Sequence, residues 1–116
     1  MAAATYDFQI EQGATLLKPI VWKDSSGTPI NLTGYTAKMQ VRSSVTSPTV
    51  LLELSTANNR LTINPSTGTV TMIFSATTTA AITWSRGKYD LELTSYDGTV
   101  TRLLEGEITV SKEITR

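Results

Sequence analysis

YTAKMQVR, residues 35–42, alternates without a break: Tyr35, Ala37, Met39 and Val41 fall on one side, and Thr36, Lys38, Gln40 and Arg42 on the other. Successive side chains of a pleated strand point to opposite faces of the sheet, so a period of two marks a strand with one buried and one polar face. A turn at Thr33-Gly34 leads into it. The triplet just before, Asn31-Leu32-Thr33, has the form of a glycan acceptor, which matters only in a chain that enters a secretory pathway. The opening residues MAAATYDF carry neither the basic nor the apolar region of a signal peptide. The whole stretch is therefore expected to be framework.

The same period recurs along the chain. Tyr6, Phe8 and Ile10 alternate in TYDFQIEQG, Val70, Met72 and Phe74 in GTVTMIF, and Tyr89, Leu91 and Leu93 in GKYDLELTS. Each run is short and bounded by Gly, Asn, Asp or Ser. KDSSGTP and YDGT set Asp ahead of Gly between apolar runs, where Asp can bond nearby backbone and Gly supplies positive φ, so both predict hairpin reversals. NPSTGT (64–69) predicts a further turn, and SSVTSPT (43–49) a longer polar loop. SATTTAAITWSR loses alternation after Phe74, and Ser75 can cap a short helical turn near 75–81.

Two segments leave alternatives open. TLLKPIVWKD is apolar on both parities and contains Pro19, which cannot donate to a ladder, so this strand is bulged or lies at an edge. In TVTRLLEGEITV, Arg102 and Gly106 share the parity of Val100, Leu104, Ile108 and Val110; a bulge near Gly106 would reset the phase and turn Arg102 outward. The expectation is one domain over 1–116: an all-β, immunoglobulin-like antiparallel β-sandwich of about 7–8 strands.

Composition bounds the function. Valine, isoleucine, tyrosine and abundant threonine favour strands. The 10 Lys and Arg balance the 10 Asp and Glu, leaving no net field to draw in a polyanion, which argues against nucleic-acid binding through phosphates. No apolar run reaches the roughly 18 residues of a membrane span. With neither Cys nor His, the chain can form no disulfide, thiolate nucleophile, His-dependent triad or Cys/His zinc site.

No Gly-rich phosphate loop is present. Asp24-Ser25-Ser26-Gly27 lacks the alternating ligands and closing Glu of a calcium loop and reads as a turn. Glycosidases need two facing carboxylates, and Asp90, Glu92, Glu105 and Glu107 could approach one another if the last two strands pair. Lys or Arg neighbours across the strands would make that an ordinary solvated face. No catalytic residue, metal or cofactor is expected. Trp22 reads as core. Trp84 reads equally as a core plug or an interface anchor, and with Arg86 beside it and Tyr96 further on it supplies the expected contact residues. Lys18, Lys38 and Lys88 are candidate guards of sheet edges.

The wording of the strands and turns carries a resemblance. YDFQIEQGAT, VWKDSSGTPINLTGYTAKMQVRSS, RGKYDLEL and GTVTRLLEGEITVSKEITR together span nearly the whole chain. They are similar to small phage and prophage virion proteins, in particular the immunoglobulin-like amino-terminal domain of baseplate upper proteins. The resemblance implies a virion structural protein made in the host cytoplasm, without enzyme activity, that joins other virion proteins and forms a homo-oligomer or part of a symmetric assembly. Tail or baseplate adaptor is the first expectation; a capsid cement or decoration protein, or a carbohydrate-binding module of a virion, are the alternatives.

Overall fold

The computed structural model describes residues 3–115. Nine strands run in the order β1 (Ala4–Thr5), β2 (Phe8–Glu11), β3 (Leu16–Val21), β4 (Thr36–Arg42), β5 (Val50–Ser55), β6 (Leu61–Asn64), β7 (Thr69–Phe74), β8 (Arg86–Thr94) and β9 (Val100–Ser111). A 3-10 turn at Pro65–Thr67 precedes β7, and a helix, α1 (Ala76–Ala80), follows it. The Ser75 hydroxyl caps α1 by accepting from Thr78 N at 3.2 Å. The sequence predicts seven or eight strands; the ninth arises because the first is interrupted at Tyr6-Asp7 into β1 and β2, which lie along the same neighbour.

The strands form two sheets, an all-β sandwich. The larger has the order β1/β2-β9-β8-β4-β5 and the smaller β3-β7-β6. Pairing is antiparallel except that β1 and β2 run parallel to β9. The inner faces of the two sheets close on one another: Met39, Val41, Leu54, Leu91, Leu93, Ile10 and Ile108 from the large sheet meet Leu61, Val70, Met72 and Phe74 from the small one. All eleven are buried. Burial of this kind contributes about 25 cal/mol per Å² of apolar surface and is what fixes strand register, since a slip of one residue would expose the whole set.

Both ambiguous segments resolve. β3 is an edge strand, paired with β7 alone. The phase of β9 is reset at Leu103, not near Gly106: Leu91 pairs with Leu104 while Glu92 pairs with Arg102, leaving Leu103 as the extra residue. Arg102 turns outward as expected. Gly106 has a different task. A Cβ there would collide with the carbonyl of Tyr6 and crowd the Asp7 carboxylate, so the glycine admits the kinked junction between β1 and β2.

Asn31 is framework. Its Oδ1 accepts from Thr33 N at 3.0 Å and from the Thr33 hydroxyl at 2.6 Å, and Tyr35 N donates to Leu32 O at 3.0 Å, closing the turn that launches β4. Trp22 sits on the rim of the core, half-buried and edge-on to Tyr35 with ring centroids 6.3 Å apart.

Candidate functional site

The outer face of the large sheet carries the charge and is depressed into a hollow of about 630 Å³. Strand alternation aims Lys88, Asp90 and Glu92 of β8 and Glu105 and Glu107 of β9 into it. Glu107, Asp90 and Glu105 each meet a cation. Glu107 takes Arg86 Nε at 3.0 Å on one oxygen and Lys88 Nζ at 2.9 Å on the other, while Arg102 lies 3.4 Å from Asp90 and 3.8 Å from Glu105. Glu53 completes the field, accepting from Gln40 Nε2 at 2.8 Å with Lys38 Nζ at 3.6 Å. The Gln40 hydrogen bond, then Lys38, holds its carboxyl below the usual range. Exposed pairs of this sort contribute little stability, but they neutralise the face locally. Lys38 and Lys88 thus serve this field on the interior strands β4 and β8; they do not guard edges, as their sequence positions suggest.

Lys18 does lie on an edge strand, and it points inward. Its Nζ donates to the Tyr6 hydroxyl at 2.8 Å and stands 5.4 Å and 5.6 Å from the ring centroids of Tyr6 and Phe8. The outer side of the small sheet differs from the large one. Leu17, Pro19 and Val21 of β3 pair with Ile73, Thr71 and Thr69 of β7, and none of the six is ionisable.

The three predicted contact residues do not form one patch. Trp84 and Arg86 stand where β8 begins and Tyr96 just beyond where it ends, about 30 Å away along nine strand residues. Trp84 is half-buried against the core and walls a shallow hollow of about 210 Å³ with Leu51, Leu52, Arg60 and Ala81. Arg86 is engaged by Glu107. The two tryptophans are also apart, because Trp22 N bonds Gly68 O at the far end.

Tyr96 is 86% exposed and rises beside Gly34, where a Cβ would come within 3.2 Å of it. Four loops meet at this end. Leu32 N donates to Pro65 O, Gly68 lies against Trp22 and Ile30, and the 31–34 turn abuts Tyr96. Each is pinned by its own side chains. Asp24 Oδ1 accepts from Ser26 N, the Ser26 hydroxyl and Thr28 N at 2.7–3.0 Å, Asn64 Oδ1 accepts from the Ser66 hydroxyl at 3.2 Å, and Asp97 Oδ1 takes Thr99 N at 3.1 Å and the Ser95 hydroxyl. Hydrogen bonds, led by those from Ser26 and Ser95, lower the pKa of Asp24 and Asp97, so both stay ionised over a wide range. Sequence reasoning found these turns but not their convergence, which depends on strand order.

Among the described residues no group of three or more Asp and Glu side chains is placed to hold a metal ion, and no helix is long and apolar enough to cross a membrane. No protein-family model matches the chain, and no curated protein matches it in sequence.

Proposed function

We propose that this chain is a structural component of a bacteriophage virion, a tail or baseplate adaptor that docks onto other virion proteins and onto copies of itself. The observation that carries the reading is the loop end of the sandwich. Four loops are held by their own hydrogen bonds and present an exposed tyrosine, and such a surface loses little conformational freedom on binding. Tyr, Ser, Asn and Gly are the residue types that suit a rigid polar contact surface. The strand-and-turn wording spread over the chain supplies the setting, a virion assembled in the host cytoplasm. The reading calls for no cofactor and no catalytic step.

Mass spectrometry of separated heads and tails from particles that encode the chain tests it. Presence in tails supports the adaptor, presence in heads alone moves the protein to capsid cement, and absence from both overturns the reading. Tyr96→Ala is expected to lower incorporation at least ~10-fold, the loss of a hot-spot aromatic, while leaving the fold intact.

A further inference from the structure

Three of the outer strands, β3, β5 and β6, each carry a feature that discourages a newcomer strand. On β3, Trp22 N bonds β7 through Gly68 O at 2.9 Å, so by alternation Lys18 and Ile20 also face β7, and Leu17, Pro19 and Val21 turn their backbone to the open side. Pro19 has no N–H to offer there, and Lys18 is a charge directed into the sandwich; both discourage edge pairing. On β5, Asn58 Oδ1 accepts from Ser55 N, while Asn58 Nδ2 and Arg60 Nη1 donate to Glu53 O and Arg60 N to Ser55 O, at 2.9–3.2 Å. β6 offers only four residues. At the other margin of the large sheet β9, 12 residues long, is covered by β1 and β2, which keep one register from Ala4↔Leu104 to Glu11↔Ser111.

This covering segment is joined to the rest of the sandwich by a single reversal at 12–15. Ala14 N closes the turn on Glu11 O at 3.1 Å, and Gly13 adopts φ 84°, a conformation that costs other residues strain. Thr79, the buried polar side chain of α1, holds the far half of the turn: its hydroxyl accepts from Gly13 N at 3.0 Å and donates to Ala14 O at 2.9 Å. Gln12 is anchored to the body of the sandwich, its N–H donating to Ser111 O and its side chain donating to Ile82 O and accepting from Glu113 N at 2.8–2.9 Å, so opening the turn at Glu11-Gln12 would release residues 4–11 while leaving β3 and α1 as they are.

We propose that β9 takes the 4–11 strand of a second copy, so that two chains exchange these strands and dimerise. The groove selects this strand over others. Phe8 and Ile10 fill inner-face positions, with the Phe8 ring 5.4 Å from Tyr89 and 5.9 Å from Phe74. Between Tyr6 and Phe8, the Asp7 carboxylate accepts Glu107 N at 2.8 Å and occupies the gap over Gly106. An Asp between two aromatic residues, with an aliphatic one two places after the second aromatic, is what the groove requires. The exchanged pair remakes every contact of the monomer except those within the turn, so concentration and turn strain decide the balance. The inference holds whether or not the protein is a virion component.

The chain has no cysteine, so a single engineered pair reports the arrangement. Gln9 and Thr109 are register partners, at a spacing a disulfide can bridge. Gln9→Cys/Thr109→Cys protein is held at millimolar concentration, its dimer is isolated by gel filtration and oxidised, and it is run denatured without reductant. Exchange predicts covalent dimers from the dimer peak and monomers from the monomer peak. A dimer whose disulfides are all within chains, or no dimer at any concentration, overturns the proposal. Deleting Gly13 and Ala14 leaves too little chain for the reversal and is expected to give dimer at concentrations where the parent is monomeric; a folded monomer from that variant also overturns it. If the deletion prevents folding, the cysteine pair decides.

Discussion

Gly106 lies directly beneath the Tyr6 carbonyl, with no room between them for a methyl group. The clash of an added side chain would be with backbone, which cannot swing aside. Gly106→Ala is expected to cost about 2–3 kcal/mol, lowering Tm by roughly 10 °C for a domain of this size. Calorimetry beside the parent measures it, and an unchanged Tm would mean the β1–β2 junction is not held as described.

The same carbonyl receives the Tyr89 hydroxyl at 2.5 Å. Burial of Tyr89, then the proximity of Tyr6 and Asp7, raises its pKa above the ordinary tyrosine value of 10.0. A group with a raised folded-state pKa stabilises the fold fully below the unfolded value and loses that contribution as pH climbs through the folded one. The parent should therefore lose stability progressively above pH 10. Tyr89→Phe should be about 1 kcal/mol less stable at neutral pH, for the lost hydrogen bond, yet flatter above pH 10. Parallel urea titrations across that range distinguish the two slopes.

Pro19 and Lys18 act against association more than for stability. Pro19→Thr with Lys18→Val supplies the missing donor on the open side of β3 and removes the inward charge. Thermal stability is expected to move by no more than about 1 kcal/mol, whereas light scattering of concentrated samples should rise within hours. A double variant that stays as clear as the parent would show that this edge is protected by something else.

Much of the sandwich was legible because burial writes itself as alternation: Met39, Met72 and Leu91 each lie inside a period-two run and are buried in the core. Ser75 announced α1 by its capping chemistry. The bulge could not be placed, because any extra residue between Arg102 and Ile108 would reset the phase, and Gly106 was the natural suspect. Its actual constraint comes from Tyr6, 100 positions away in sequence. The guards were misassigned for a related reason. A lysine looks the same on an interior strand as on an edge, and Asn58 and Arg60 gave no signal until the free side of β5 was known. Tyr96 and Trp84, near each other in sequence, were separated by the straight run of β8 between them.

The parallel pairing of residues 4–11 with residues 104–111 also sets a timetable. A ribosome adds about 5–20 residues per second, so the opening strand is made on the order of 5–20 s before its neighbour. Throughout that interval Phe8 and Ile10 have no β9 to lie against, and every other strand of the sandwich is synthesised first. Nascent chains should accordingly remain sensitive to protease until the last strand clears the exit tunnel, then become resistant in a single late step.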